Sequence, residues 1–333
     1  MDFLSCRGGW YSRLRGKDFL TLEEPSPGEL QLILGLSKKF KNLRKRLVVK
    51  DVLRGRTVGL LFEKPSTRTR VSFQVAVHEL GGYSVSLSSN EIQLGRGETI
   101  EDTARVLSRY VHAVMARVNA HDEVSRLAAA STVPIINGLS DLYHPVQVLA
   151  DLLTLTEHKG RLKGLRVAWV GDGNNVCNSW LYGASLTGVD FAAATPPNYA
   201  PPSDVVSSAQ KIAGSTGGRI TLMEDPREAV EGADCVMTDT FVSMGFDQEK
   251  EARIKAFLPR YQVNEELMSR AKKDAIFEHC LPAHRGEEVS KGVIDGPNSV
   301  VWDQAENRLH TTKALLCFLM LGKAGAASLL RGR

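Results

Sequence analysis

Ser66-Thr67-Arg68-Thr69-Arg70 sets hydroxyl and guanidinium side chains next to one another. The segment follows Thr57-Val58-Gly59-Leu60-Leu61-Phe62, an apolar run of strand length, and opens a helical pattern from Thr67 to Leu80. Free backbone N–H groups at a helix N-terminus attract anions, and the helix dipole adds to that attraction. An arginine in the same turn can meet two phosphate oxygens at once. The segment therefore reads as a phosphate cradle, although an ordinary N-cap beside a surface arginine carries the same letters. The pattern G-x-x-x-x-G-K is absent, so the cradle is not a P-loop.

Other residues of chemical interest lie far from it in sequence. His144-Pro145-Val146-Gln147 starts a helical stretch, and the i, i+3 spacing puts His144 and Gln147 on one face. A simple helix start is the alternative, since proline is favoured at the first helical position. Asp239 heads Asp239-Thr240-Phe241-Val242-Ser243-Met244-Gly245 and could pair with an ammonium group. Cys280, in His279-Cys280-Leu281-Pro282, follows a strand-like run and reads equally as a small buried apolar residue. Gly171-Asp172-Gly173 hints at dinucleotide binding, but Val176 stands at the third glycine position, so that fingerprint fails.

These residues need elements to hold them. Ser26-Pro27-Gly28-Glu29 looks like a capped start for a helix over Ser26 to Arg46. Predicted strands at Thr57–Phe62, Tyr83–Leu87, Ala113–Ala116 and Val133–Asn137 alternate with predicted helices at Thr67–Leu80, Thr99–Arg109 and Ala120–Ala130. Gly81-Gly82 stops the first of these helices. A long helix over Val146 to His158 follows, and then the alternation restarts. Its strands fall at Arg166–Val170, Asp190–Ala194, Ile220–Met223, Cys235–Thr238 and Ala275–Phe277. The pattern predicts an α/β fold with two doubly wound parallel-sheet domains facing a cleft and linked by long helices. The boundaries read as residues 1–150 and 151–310, with a last helix over 311–330 packing back on the first domain.

Composition limits the function classes. At 333 residues, 43% apolar and 24% charged, the chain suits two globular domains. Its 42 basic and 38 acidic residues leave a charge of +4, too balanced for a nucleic-acid-binding face. Cys6, Cys177, Cys235, Cys280 and Cys317 are scattered, odd in number and without metal-ligand spacing. They read as reduced thiols in a cytoplasmic compartment. No uninterrupted run of 18 apolar residues occurs, so no membrane span is expected. Met1 to Lys17 has no apolar stretch of a secretory signal. It reads as a short, poorly ordered extension, with a remnant of an organelle-targeting segment as the alternative.

The motifs together resemble one family. Phe62-Glu63-Lys64-Pro65-Ser66-Thr67-Arg68-Thr69-Arg70-Val71-Ser72-Phe73, His144-Pro145-Val146-Gln147 with Leu149-Ala150-Asp151, and His279-Cys280-Leu281-Pro282 occur in the order of the aspartate/ornithine carbamoyltransferase family. The likeness runs from about residue 17 to 322. It implies transfer of the carbamoyl group of carbamoyl phosphate to an amine, which needs no metal or organic cofactor. Asp239 to Gly245 and the cysteine at position 280 resemble the ornithine branch, whose products are L-citrulline and phosphate.

The resemblance also implies roles. Ser66, Thr67, Arg68 and Thr69 would hold the phosphate, with Arg117 and Arg308 returning to the same pocket. His144 would donate to the carbonyl oxygen, Gln147 and the Leu281 carbonyl would lie toward the carbamoyl amide, and Cys280 would stand beside Asp239 in the same pocket, close to the reacting amine. Arg117, His144 and Cys280 form the catalytic set. Asn175, Asp239, Ser243 and Met244 would take L-ornithine. Gln93 matches a loop that reaches a neighbouring subunit's site, implying a homotrimer or a multiple of trimers. Two positions depart from the branch pattern: Asn178 stands where histidine is common, and Val146 where cysteine occurs.

Overall fold

The structure, a computed structural model, describes residues 18–46, 51–243, 245 and 247–331. The Met1 to Lys17 segment, Cys6 and Met244 lie outside the described residues. Helix α1 (Pro27–Lys45) starts on a capping box, Ser26 Oγ accepting from the Glu29 amide and Glu29 Oε2 accepting from the Ser26 amide at 2.9 Å. That exchange satisfies two N–H groups that a helix start otherwise leaves unpaired.

The chain divides into two compact units, with breaks between Val146 and Gln147 and between Asn307 and Arg308. The first holds β1 (Thr57–Phe62), α2 (Thr67–Glu79), β2 (Tyr83–Ser88), α3 (Ile100–Tyr110), β3 (Ala113–Arg117), α4 (His121–Ala130) and β4 (Ile135–Leu139). Its four strands are parallel in the order β2-β1-β3-β4. Strands β1, β3 and β4 are buried almost throughout, as expected where helices cover both faces of a parallel sheet.

Helix α5 (Pro145–Lys159) carries the chain into the second unit. There β5 (Arg166–Val170), α6 (Asn175–Thr187), β6 (Asp190–Ala194), α7 (Ser203–Thr216), β7 (Arg219–Met223), α8 (Pro226–Val230) and β8 (Cys235–Thr238) follow in turn. They are followed by α9 (Lys250–Phe257), α10 (Glu265–Met268), β9 (Ile276–His279) and α11 (Lys291–Ile294). The sheet order is β7-β6-β5-β8-β9, again all parallel.

Both sheets reverse direction once. From β1 the chain first builds outward to β2 and then crosses to β3 on the other side; from β5 it builds to β6 and β7 and then crosses to β8. Such a switch point opens a crevice beyond the carboxyl ends of the two inner strands, where ligands of α/β sheets bind. The turns leading into Ser66 and into Asn174, and the strand ends at Arg117 and Thr238, lie at those two points.

The last helix, α12 (Val301–Arg331), begins ten residues before the expected start at Thr311. Its first turns carry charged and amide side chains, and tertiary pairing explains them. Within the second unit, Gln304 Nε2 donates to Asp151 Oδ1 at 2.8 Å, Asn307 Nδ2 to Thr154 Oγ1 at 2.8 Å, and His158 Nε2 meets Asp303 Oδ2 at 2.9 Å. Residues from Arg308 onward belong to the first unit, where Lys313 pairs with Glu79 and Lys39 Nζ donates to the Leu329 carbonyl at 2.8 Å.

Gly322, at φ 71°, breaks the helical path. By length and apolar composition α12 could cross a membrane, and half of its apolar stretch is buried within the protein. Buried Asn307, Arg308 and Lys313, paired with Thr154, Thr69 and Glu79, mark it as a core helix.

Candidate functional site

In the first unit, β1 ends at Phe62 and Ser66 caps α2, its Oγ accepting from the Thr69 amide at 3.2 Å. Thr69 is buried, Arg68 half-buried and Thr67 exposed. The Arg70 guanidinium lies 4.6 Å over the Phe62 ring. Arg117 closes β3 and is buried, beside an irregularity in the β3–β4 register at Ala116/Arg117.

Arg308 comes from α12 and is only 2% exposed, with Nη2 donating to Thr69 Oγ1 at 3.2 Å. A lone arginine near a helix start usually lies on the surface; this one is buried because α12 starts earlier and carries it into the unit.

His144 precedes α5 and is buried. Burial, followed by the charges of Arg308, Arg117 and Arg68, holds its imidazole well below the usual histidine range. The ring is therefore neutral. The same effect shows that three arginines, from β3, α2 and α12, converge electrically on His144. Gln93 is exposed in the 3-10 turn Gln93–Arg96, and its carbonyl accepts from the Glu98 amide.

In the second unit, β8 and β9 pair with Thr238 opposite His279, so the next residues, Asp239 and Cys280, emerge side by side. The Cys280 thiol donates to Asp239 Oδ1 at 3.0 Å. Asn174 Nδ2 donates to Asp239 Oδ2 at 2.8 Å while Asn174 Oδ1 caps α6 through the Val176 and Cys177 amides. Asn174, which the sequence reading did not single out, thus touches Asp239, and the next residue, Asn175, expected at the amino-acid end of the substrate, is half-buried at the start of α6. The cap position of Asn174 just ahead of the helix was the available signal.

Ser243 is half-buried, and Met244 lies outside the described residues. Asn178 and Val146 are both buried. The glycine of the failed dinucleotide motif has a packing reason: a Cβ on Gly173 would lie 2.4 Å from the Pro201 nitrogen.

Sequence reasoning missed three supports. Arg253 Nη1 donates to Asp172 Oδ2 at 2.7 Å and to the Phe241 carbonyl at 3.2 Å, tying the turn after β5 to the segment after Asp239. Burial pushes the Asp172 carboxyl up to about 6, Arg253 pulls against that, and Asp239 and Glu249 add to it. Asp151 is fully buried and accepts from Gln147 Nε2 and Gln304 Nε2 on one oxygen and from Trp180 Nε1 on the other. Gln304 Oε1 in turn accepts from the His279 amide at 2.9 Å. The i, i+4 spacing of Gln147 and Asp151 could have suggested the first of these bonds.

The third support is a buried His279–Glu288 pair, with Nε2 and Oε1 3.2 Å apart. Cysteine spacing gave no hint of ligand clusters, yet the fold brings potential metal-ligand atoms of Asp239, His279 and Cys280 within 4.8 Å of one another, and likewise those of His284, Glu287 and Glu288. Both ring nitrogens of His279 already have hydrogen-bond partners.

Comparison with known proteins covers nearly the whole chain. Residues 17–157 match the aspartate/ornithine carbamoyltransferase carbamoyl-P binding domain, and residues 163–319 match the Asp/Orn binding domain of the same family. The chain is 52% identical over 309 residues to an ornithine carbamoyltransferase of Pyrococcus horikoshii, covering 93% of this chain and 97% of that protein. It is 52% identical over 306 residues to one of Carboxydothermus hydrogenoformans, covering 92% and 98%. Among solved structures, the ornithine carbamoyltransferase from Pyrococcus furiosus matches with a TM-score of 0.89 and 51% identity, over 93% of this chain and 98% of that one. The Thermus thermophilus enzyme matches with a TM-score of 0.81 and 42% identity, over 91% and 98%.

Proposed function

Since this chain belongs to the aspartate/ornithine carbamoyltransferase family and its reaction is the carbamoylation of ornithine, we propose how its own residues divide that work. The first unit takes carbamoyl phosphate. Ser66, Thr67, Arg68 and Thr69, at the N-terminus of α2, cradle the phosphate together with Arg117 and Arg308. Neutral His144 donates a hydrogen bond to the carbonyl oxygen, which becomes an oxyanion as the amine attacks. A neutral donor there keeps its proton while the neighbouring arginines carry the positive charge.

The second unit takes L-ornithine. Asp239 pairs with the α-ammonium, and Asn175, Ser243 and Met244 complete the amino-acid end. Gln147 and the Leu281 carbonyl orient the carbamoyl amide, and Cys280, held on Asp239, flanks the reacting amine. That amine has an ordinary pKa of roughly 10 and sheds a proton before attack. The C–N bond then forms, the nitrogen gives up a second proton to the departing phosphate as the C–O bond breaks, and citrulline and phosphate leave. The convergence of three arginines on a neutral buried His144, at the switch point of the first sheet, carries this reading.

We also read the enzyme as a homotrimer or a multiple of trimers in the cytoplasm. The exposed Gln93 turn supports the first, and the scattered cysteines Cys177, Cys235, Cys280 and Cys317, without disulfide-framework spacing, support the second. The direct test is citrulline formation by purified protein at mildly alkaline pH, with aspartate, putrescine and N-acetylornithine as competing acceptors. Citrulline should be the dominant product. Phosphate-competitive binding of carbamoyl phosphate without turnover would refute the assignment of these residues to catalysis.

A further inference from the structure

The geometry points to His279 and Glu288 as positioning residues that hold the Cys280–Leu281 turn through a single histidine tautomer. The Leu281 amide donates to His279 Nδ1 at 2.9 Å. A nitrogen that accepts an N–H carries no proton of its own, because two donors cannot face each other at that distance. The one ring proton is therefore on Nε2, and it faces Glu288 Oε1 at 3.2 Å. A hydrogen bond on one ring nitrogen sets the state of the other.

Glu288 is built for that task. Its side chain and that of His279 are both fully buried. Its Oε1 also accepts from the His284 amide, and its own carbonyl accepts from the Val263 amide at 2.9 Å. Burial by itself raises the Glu288 carboxyl, but the hydrogen bonds from His279 and His284 outweigh it and hold the group below the usual carboxylate range. It is an acceptor only, so it always demands the proton on Nε2. At the other end, the His279 amide is pinned by Gln304 Oε1.

What the lock holds is a backbone that would otherwise relax. Leu281 sits at φ 57°, a left-handed conformation that a branched side chain disfavours. Its amide bond to His279 fixes the plane of the Cys280–Leu281 peptide. Just before that peptide bond the Cys280 thiol rests on Asp239, and just after it comes the Leu281 carbonyl. The inference rests on the reading above, in which these two groups meet the substrates.

The test uses four variants of the full chain, with kcat and both KM values from citrulline formation and thermal midpoints for each. His279→Asn keeps an acceptor near the Nδ1 position, and His279→Gln keeps a donor near the Nε2 position. Each removes one of the two buried bonds, so their midpoints should fall alike. Their activities should divide: His279→Asn within about threefold of the parent kcat/KM for ornithine, and His279→Gln about tenfold to a hundredfold lower, the range for loss of a buried hydrogen bond.

Glu288→Gln, whose amide oxygen can still accept both N–H groups, should keep most activity, and Glu288→Ala should behave like His279→Gln. In long-range ¹H–¹⁵N spectra of the parent protein, His279 should show only the Nε2–H tautomer at neutral pH. A protonated Nδ1, or equal losses in the two His279 variants, would overturn the inference. A parent that forms no citrulline would instead remove the functional reading beneath it.

Discussion

Replacing Arg308 with methionine should separate function from stability, because substrate binding weakens while the stability of the ligand-free protein hardly changes. Arg308 is buried, donates to Thr69 Oγ1 at 3.2 Å, and is the strongest of three arginine charges acting on His144. Without an anion bound, those charges repel one another. Methionine fills much of the volume, loses the bond to Thr69 and relieves the repulsion, so the ligand-free protein should change by no more than about 1 kcal/mol.

With carbamoyl phosphate bound, the variant lacks a charge-assisted bond worth about 1.5–3 kcal/mol, or about tenfold to 150-fold in affinity. Initial rates of citrulline formation should show KM for carbamoyl phosphate raised by that factor. The rise in thermal midpoint on adding inorganic phosphate should shrink or vanish, while the midpoint without phosphate stays within a few degrees. A ¹H titration of the His144 ring should also move toward the ordinary histidine range. An unchanged KM with an undiminished phosphate shift would refute the placement of Arg308 in the cradle. A fall in activity matched by an equal fall in the ligand-free midpoint would show a purely structural role.

Other expectations follow from the same physics. His144 is neutral when folded, whereas in the unfolded chain it takes a proton near pH 6.5; the unfolded state therefore binds more protons below that pH, and stability falls on acidification. The slope from this one residue approaches about 1.4 kcal/mol per pH unit below pH 6.5, and denaturant titrations of His144→Gln should show it flattened. Asp239→Asn should raise KM for ornithine by at least about tenfold while KM for carbamoyl phosphate changes little, since it removes the charge proposed to pair with the α-ammonium; equal shifts in both would contradict the division between units. Asp151→Asn sets an amide N–H₂ against at least one of its three N–H donors, which should cost about 3 kcal/mol in chemical denaturation and weaken Gln147's hold on the carbamoyl amide. No loss of stability in that variant would mean the donors find water instead.

The local elements were legible because their signals are local. Burial on both faces makes β1, β3, β5 and β8 continuous apolar runs, and cap chemistry marks the starts of α1 and α2 at Ser26 and Ser66. The error at α12 has an equally physical source. Asp303, Gln304 and Asn307 look like loop residues until they meet His158, Asp151 and Thr154, partners 145 to 153 positions away. The short helices α8, α10 and α11 have too few turns to impose a period on the sequence.

The sequence by itself determined which chemical groups are present and in what order: the Ser66 to Thr69 cradle, His144 before a helix, Asp239 and Cys280 after strands. Those facts depend on residue type and on neighbours a few positions away. Only the tertiary structure decided that Arg308 is buried on Thr69, that Asn174 donates to Asp239, and that Glu288 faces the Nε2 of His279. Hydrogen bonds and charges act over a few ångströms in space. Which residues come within that distance is set by parallel sheet order and helix packing, which no short window of sequence contains.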